Sequence, residues 1–217
     1  QSFTNTYGDI DYLRSIFTEA INHPDIVALS IGTRPDCLPD EVLTLLGELN
    51  KIKPVWVELG LQTIHENTAK YINRGYTLDV FNTAVNNLNK INVDVIVHLI
   101  IGLPFESKED ILESVKYVSS MNISGIKLQL LHVLKNTPLE KEYSLNKFEV
   151  LSMEEYVDII AECLRYIPKS IVIHRLTGDG PKSILVAPLW SGNKKAVLNY
   201  MNKRFNELNV IQGSLCS

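Results

Sequence analysis

The chain has 217 residues, 45% of them apolar and 21% charged, with a formal net charge of −4. This length suits one domain with a sizeable core, and mild acidity without a block of like charge excludes a nucleic-acid surface built on bulk electrostatics. No apolar run approaches the roughly 20 residues of a membrane span and no signal sequence is recognised, so a cytoplasmic protein off the membrane is expected.

The opening Gln1–Tyr7 (QSFTNTY) reads as the end of a strand and the start of a loop, and a domain truncated at its N-terminal end is expected. A helix follows over Asp9–Asn22, with an acidic N-cap and a stop before His23-Pro24. Ile26–Thr33 (IVALSIGT) is a compact β-branched run and the first full strand. Pro39–Asn50 is helical, with Val42, Leu43, Leu45, Leu46 and Leu49 on its apolar face. Val55–Gln62 (VWVELGLQ) is the next strand, then a helix over Thr77–Asn89 and a strand over Val93–Gly102 (VDVIVHLIIG). Ser107–Ser120 opens with SKED and Ser152–Tyr166 with SMEE, both matching the capping box. Between them lies the strand Ile126–Leu134 (IKLQLLHVL). After them come the strand Ile171–Thr177 (IVIHRLT) and a last helix over about Lys194–Leu208. Nearly continuous apolar strands alternating with helices predict a parallel sheet buried on both faces. No strand is followed by GxGxxG, and polar residues sit at the ends of several strands. A partial (β/α) barrel of parallel strands, TIM barrel-like, is therefore predicted. It is a single domain over 1–217, with its core to about residue 177 and a C-terminal extension from 178.

Ligands of parallel sheets bind at the carboxyl ends of the strands. Those ends here are Thr4-Asn5-Thr6-Tyr7, Gly32-Thr33-Arg34-Pro35-Asp36, Gly60-Leu61-Gln62-Thr63, Gly102-Leu103-Pro104, Lys135-Asn136-Thr137-Pro138 and Thr177-Gly178-Asp179-Gly180. Within the strands stand Glu58, His98, Gln129, His132 and His174. A polar group there is costly unless paired or solvated, and its recurrence on several strands predicts a polar cavity. Arg34 beside Asp36 is either an ion pair fixing the loop or a bidentate guanidinium for a ligand carboxylate. Gly102 before Leu103-Pro104 is either a tight turn or a place where a flat ring approaches the backbone. Cys37, Cys163 and Cys216 are far apart and form no CxxC, so this chain encodes no cysteine-ligated metal site.

The strand ends IGTRPD (Ile31–Asp36), ELGLQT (Glu58–Thr63) and HLIIGLP (His98–Pro104), in this order, resemble the radical SAM superfamily. Within it they are most similar to the branch of the Elongator catalytic subunit and the YhcC/YtqA-type bacterial proteins. The resemblance covers the chain to about Arg175. It implies S-adenosylmethionine bound at the strand ends beside a 4Fe–4S cluster held by CxxxCxxC, an electron donor for that cluster, and a 5′-deoxyadenosyl radical as the reactive species. The cysteine loop is not in this sequence. The implied picture is an enzyme fragment whose cluster ligands lie upstream and which alone is inactive. In the oxygen-independent coproporphyrinogen oxidase relatives, a glutamine at a strand end and a following arginine contact S-adenosylmethionine. Gln62 and Arg74 match them, making Arg74 the implied carboxylate partner. His98 falls where those relatives place an acidic residue near the ribose, and Gly102 and Pro104 match the adenine-binding turn loosely. Glu58, Arg34 and Asp36 are implied to line the site. The branch implies tRNA, at its wobble uridine, as substrate. Two readings compete: a cluster-independent barrel lyase or aldolase using Glu58 and a histidine as acid and base, and a non-catalytic binding domain. Truncation leaves an unpaired edge, predicting either a homodimer through it or a cover supplied by a terminal segment such as the one after Thr177.

Overall fold

The computed structural model describes residues 4–178 and 180–216. Gln1–Phe3 of the expected strand remnant and Asp179 of the last strand end lie outside the described residues. Strands β1 (Leu29–Thr33), β2 (Val55–Gln62), β3 (Asp94–Ile101), β4 (Gly125–Leu130) and β6 (Val172–Arg175) form one five-stranded sheet in the order β1-β2-β3-β4-β6. Every pairing is parallel. The sheet is open, with β1 and β6 at its edges, as a partial barrel requires. Short strands β5 (Val133–Leu134) and β7 (Leu185–Ala187) pair antiparallel in a separate two-stranded sheet.

The helices are α1 (Ile10–Asn22), α2 (Asp40–Leu49), α3 (Glu66–Tyr71), α4 (Leu78–Lys90), α5 (Lys108–Ser119), α6 (Pro138–Ser144), α7 (Met153–Tyr166) and α8 (Lys194–Glu207). Their starts follow side-chain chemistry. Asp9 accepts from the Asp11 and Tyr12 amides. Ser107 with Asp110 and Ser152 with Glu155 close the two capping boxes the sequence announces. Each cap satisfies amides that the first helical turn leaves unpaired, worth about 1 kcal/mol.

The sheet is not apolar on both faces. Val57, Leu59 and Leu61 of β2, Val95, Val97, Leu99 and Ile101 of β3, and Ile126 and Leu128 of β4 are buried in the main core with the apolar stripes of α1, α2, α4, α5 and α7. Burying such side chains contributes about 1.5–3 kcal/mol each and sets which face the helices cover. The alternate residues (Glu58, Gly60 and Gln62; His98 and Ile100; Lys127 and Gln129) stand on the other face. The near-continuous apolar look of the strands comes from Trp56, Ile96 and Ile100 interrupting the alternation.

Thr4–Tyr7 forms a turn, and Asn5 caps the β1 edge: its amide donates to the Gly32 carbonyl and its Oδ1 accepts from the Gly32 amide. The edge cover expected from the segment after Thr177 is not formed by its described elements: β7 pairs with β5, and α8 packs against α7. No helix among the described residues is long and apolar enough to cross a membrane.

Candidate functional site

The second face of the sheet carries a polar cavity of about 440 Å³, lined by Glu58, His98, Lys127, Gln129, Arg34 and Arg175 among others. Glu58 is its centre. It projects from the middle of β2 and is 9% exposed. Its Oε1 accepts from Ser30 Oγ at 3.0 Å, and its Oε2 from Lys127 Nζ at 2.5 Å. His98 Nε2 lies 3.1 Å from Oε2, but without the alignment of a hydrogen bond. His98 Nδ1 faces the Gln129 side-chain nitrogen at 3.1 Å. The His98 imidazole first, and Lys127 with it, outweigh burial and lower the Glu58 carboxyl to about 2. Parallel register assembles this group: Gly60 pairs with His98, and His98 with Lys127, so side chains from three strands meet on one face.

A second, more apolar cavity of about 700 Å³ opens at the carboxyl ends of β2 and β3. Ile72, Ile100, Leu103, Leu131 and Leu139 line it, with Arg34, Gln62, Arg74 and Glu142 at its polar wall. Arg34, Gln62 and Tyr76 belong to both cavities. Gln62 sits at a bulge, where Gly60 and Gln62 of β2 pair with the adjacent His98 and Leu99 of β3. Its φ is +71°, a left-handed conformation that a non-glycine residue adopts at a cost of about 1–3 kcal/mol. The bulge folds the Gln62 amide back over Gly60, where a Cβ would lie 2.5 Å from Gln62 Nε2. Gly60 is therefore the residue that admits this turn.

Tyr76 forms the partition between the cavities. Its hydroxyl donates to the Gly60 carbonyl at 2.6 Å, and the Arg34 and Arg74 guanidinium carbons lie 5.3 and 5.1 Å from its ring centre. Burial pushes the phenol up to about 12, keeping it a neutral donor.

The two arginines differ. Arg74 has a side chain only 1% exposed. Its Nε donates to the Tyr76 carbonyl (2.8 Å), Nη1 to the Thr63 carbonyl (2.7 Å) and Nη2 to Glu66 Oε1 (2.8 Å). Arg34 is 45% exposed at its side chain and holds Asp36 through paired bonds of 2.9 and 2.7 Å. That pairing lowers the Asp36 carboxyl and raises the Arg34 guanidinium.

The structure thus brings together Arg34, Gln62, Glu58 and His98, with Arg74 behind them. Asp36 lines neither cavity, its carboxylate being held by Arg34. Gly102 (φ +84°) and Pro104 make the turn after β3 and are buried beside the cavity rather than lining it. The space over Gly102 is occupied by Leu151, whose Cδ1 would meet a Cβ at 2.9 Å. His132 also stands apart, with Nε2 3.1 Å from Ser191 Oγ. Lys127 and Tyr76 were missed. Lys127 was legible as the partner of Gln129 at i+2 on the same strand, whereas Tyr76 lies in a connection with no periodicity to read.

The larger cavity has the volume for a nucleoside and an amino-acid chain, apolar walls for a base, and Arg34 and Gln62 as polar anchors, so S-adenosylmethionine fits. A cluster does not fit the described cysteines: Cys37 lies in the β1–α2 connection, Cys163 is buried within α7, and Cys216 is near the C-terminal end. His65, Asp110 and Glu113 do place potential metal-ligand atoms within 4.8 Å of one another. The His65 ring is engaged with the Asp110 carbonyl, however, and the Asp110 carboxylate caps α5.

A model of the Radical SAM superfamily matches residues 3–118, and one of the Radical_SAM C-terminal domain matches residues 123–207. The chain is 44% identical over 213 residues to the uncharacterized protein YtqA of Bacillus subtilis, covering 98% of this chain and 66% of that protein. It is 28% identical over 186 residues to a tRNA uridine(34) acetyltransferase of Methanocaldococcus jannaschii, covering 82% of this chain and 33% of that one. The solved structure of archaeal Methanocaldococcus infernus Elp3 with an N-terminal deletion shares the fold, with a TM-score of 0.78 at 21% identity over 96% of this chain and 53% of that chain. With more than half of its residues inside the superfamily match, and spanning just under two thirds of YtqA, this chain belongs to the radical SAM superfamily, in the branch of YtqA-type and Elongator-like proteins.

Proposed function

We propose that this chain is the S-adenosylmethionine-binding part of a radical SAM enzyme that modifies tRNA, at a wobble uridine. The observation that carries the cofactor half is the pair Arg34 and Gln62 at the strand ends, shared by an apolar and a polar cavity. In this reading the larger cavity takes the adenosyl group, and Gln62, held by its bulge, is a fixed polar anchor. The exposed Arg34 guanidinium exchanges Asp36 for the ligand carboxylate. Arg74 stays behind them, holding the loop that carries Tyr76. His98 lines the polar cavity alone, and in this reading the ribose faces it across the wall that Arg34 and Gln62 share. Gly102 and Pro104 shape the adenine end through the turn that sets Leu103.

S-adenosylmethionine, cleaved reductively at a 4Fe–4S cluster, supplies the radical chemistry of this superfamily. The cluster's cysteines and its electron donor lie outside the described residues in this proposal, and the 217-residue chain alone is inactive. The tRNA half rests on the relative named as a tRNA uridine(34) acetyltransferase. The β1 edge beyond Gly32 is the place we propose for a homodimer contact, and the cytoplasm for its location.

The cluster-independent lyase is disfavoured, because a Glu58 carboxyl lowered to about 2 is too weak a base near neutral pH. Calorimetric titration of S-adenosylmethionine into the full-length, iron-reconstituted protein tests the proposal. Binding that weakens in Gln62→Ala and Arg34→Ala supports it. Absence of binding by a folded, cluster-loaded protein overturns it.

A further inference from the structure

The polar cavity carries a charge imbalance that the cofactor reading leaves unused. Its described lining includes three cationic side chains, Arg34, Lys127 and Arg175, against one carboxylate, Glu58. Arg34 is neutralised by Asp36 and Lys127 by Glu58. Arg175, exposed at the end of β6, has no hydrogen-bond or ion-pair partner among the described residues. It is the register partner of Lys127 on the neighbouring strand, so two cations stand side by side on one face. Like charges directly opposite on paired strands destabilise a sheet, and a cavity with low-dielectric walls concentrates the resulting field. The lone carboxylate cannot serve both: Glu58 already takes Ser30 on one oxygen and Lys127 on the other, with His98 beside it.

His174, on β6 next to Arg175, feels the same field. The His174 ring packs against Gly125, where a Cβ would come within 2.5 Å of its Cδ2 and Nε2. Burial first, and then Lys127, lower its imidazole below the ordinary value. The Lys127–Arg175 pair leaves an excess of positive charge for a ligand to answer.

We infer that this cavity is an oxyanion subsite, in which Arg175 and Lys127 receive a phosphate or carboxylate group of the substrate. The inference deepens the proposed function, placing the substrate's anion deep on the sheet face and the cofactor at the strand ends, with Tyr76 between them. Arg175 offers a planar fork suited to paired oxygens, and Lys127 a point charge that can turn from Glu58 toward the incoming anion. Binding involves no covalent step.

The test needs neither cofactor nor turnover. In the full-length protein with labelled histidines, the His174 and His98 ring signals are followed by NMR at constant ionic strength. Inorganic phosphate is titrated in one arm and acetate in the other. The expected result is a saturable shift whose affinity falls about tenfold in Arg175→Gln, the loss of one charge-assisted contact, and recovers in part in Arg175→Lys. Tighter phosphate binding assigns a phosphate-bearing substrate, and tighter acetate binding a carboxylate-bearing one. No saturable shift with either anion, or unchanged affinity in Arg175→Gln, overturns the inference. Because Arg175 is exposed at a strand end, its substitution leaves the core intact. Anion binding that persists where S-adenosylmethionine fails to bind would remove the proposed function and leave this subsite standing.

Discussion

Replacing Arg74 by alanine separates a structural arginine from a ligand-binding one. The side chain is 1% exposed, and three short bonds of 2.7–2.8 Å tie it to the Tyr76 and Thr63 carbonyls and to Glu66. Glu66 Oε1 also accepts from the Leu78 amide at 2.7 Å, so one carboxylate joins the starts of α3 and α4 to the end of β2. Hydrogen bonds to a charged group are worth about 1.5–3 kcal/mol each, and such losses are not additive. The adjoining cavity lets water reach some of the freed carbonyls, which places the expected loss at about 3–5 kcal/mol. Urea denaturation monitored by circular dichroism measures it as a lower midpoint. Arg74→Lys is expected to recover only a minor part, because one ammonium cannot span three acceptors. The reasoning is refuted if Arg74→Ala loses less than about 1 kcal/mol while abolishing S-adenosylmethionine binding. Arg74 would then be the direct carboxylate partner that the family resemblance implies.

Other expectations follow from single contacts. Because His98 and Lys127 lower the Glu58 carboxyl from 4.5 to about 2, its contribution to stability is fully present above about pH 4.5 and is lost as pH falls toward 2. Denaturation midpoints measured from pH 6 to pH 3 should fall less steeply in Glu58→Gln than in the parent, and equal slopes would contradict the assignment. Gly125→Ala places a Cβ 2.5 Å from the His174 ring and 3.1 Å from Ile96 Cγ1. It should cost about 1–3 kcal/mol and displace the His174 NMR signal, whereas an unchanged signal would show that the ring does not rest there. Gly102→Ala combines a φ of +84° with a 2.9 Å approach to Leu151. A drop in thermal midpoint equivalent to about 2 kcal/mol is expected, and Leu151→Ala in the same chain should restore part of it.

Much of the architecture was legible in the chain itself. Asp9, Thr77, Ser107 and Ser152 mark helix starts because their side chains satisfy amides within the next few residues, an interaction that needs no tertiary context. The β-branched runs at Val55–Gln62 and Asp94–Ile101 become strands because alternate side chains cover the helices' apolar stripes, and strands alternating with helices predict parallel pairing. The short helices α3 and α6 were not legible. At six and seven residues they are too short for a periodic pattern, and packing around Arg74 and Tyr71 stabilises them.

The site divides in the same way. That Glu58, His98 and Gln129 share a polar surface followed from their positions within apolar strands. That Glu58 is answered by Lys127, 69 residues away, depended on the register of three strands. The two readings of the Arg34–Asp36 pair were equal in the sequence, and the fold realises the ion pair while leaving Arg34 at the wall of both cavities. Arg74 and Gln62 carried the family's spacing, yet spacing could not show that one has its donors committed to carbonyls while the other is turned by a bulge over Gly60. Local amide chemistry and periodicity act over a few residues and can be read from order along the chain. Which buried charge meets which partner is set by contacts between distant segments, and only the folded sheet brings those segments together.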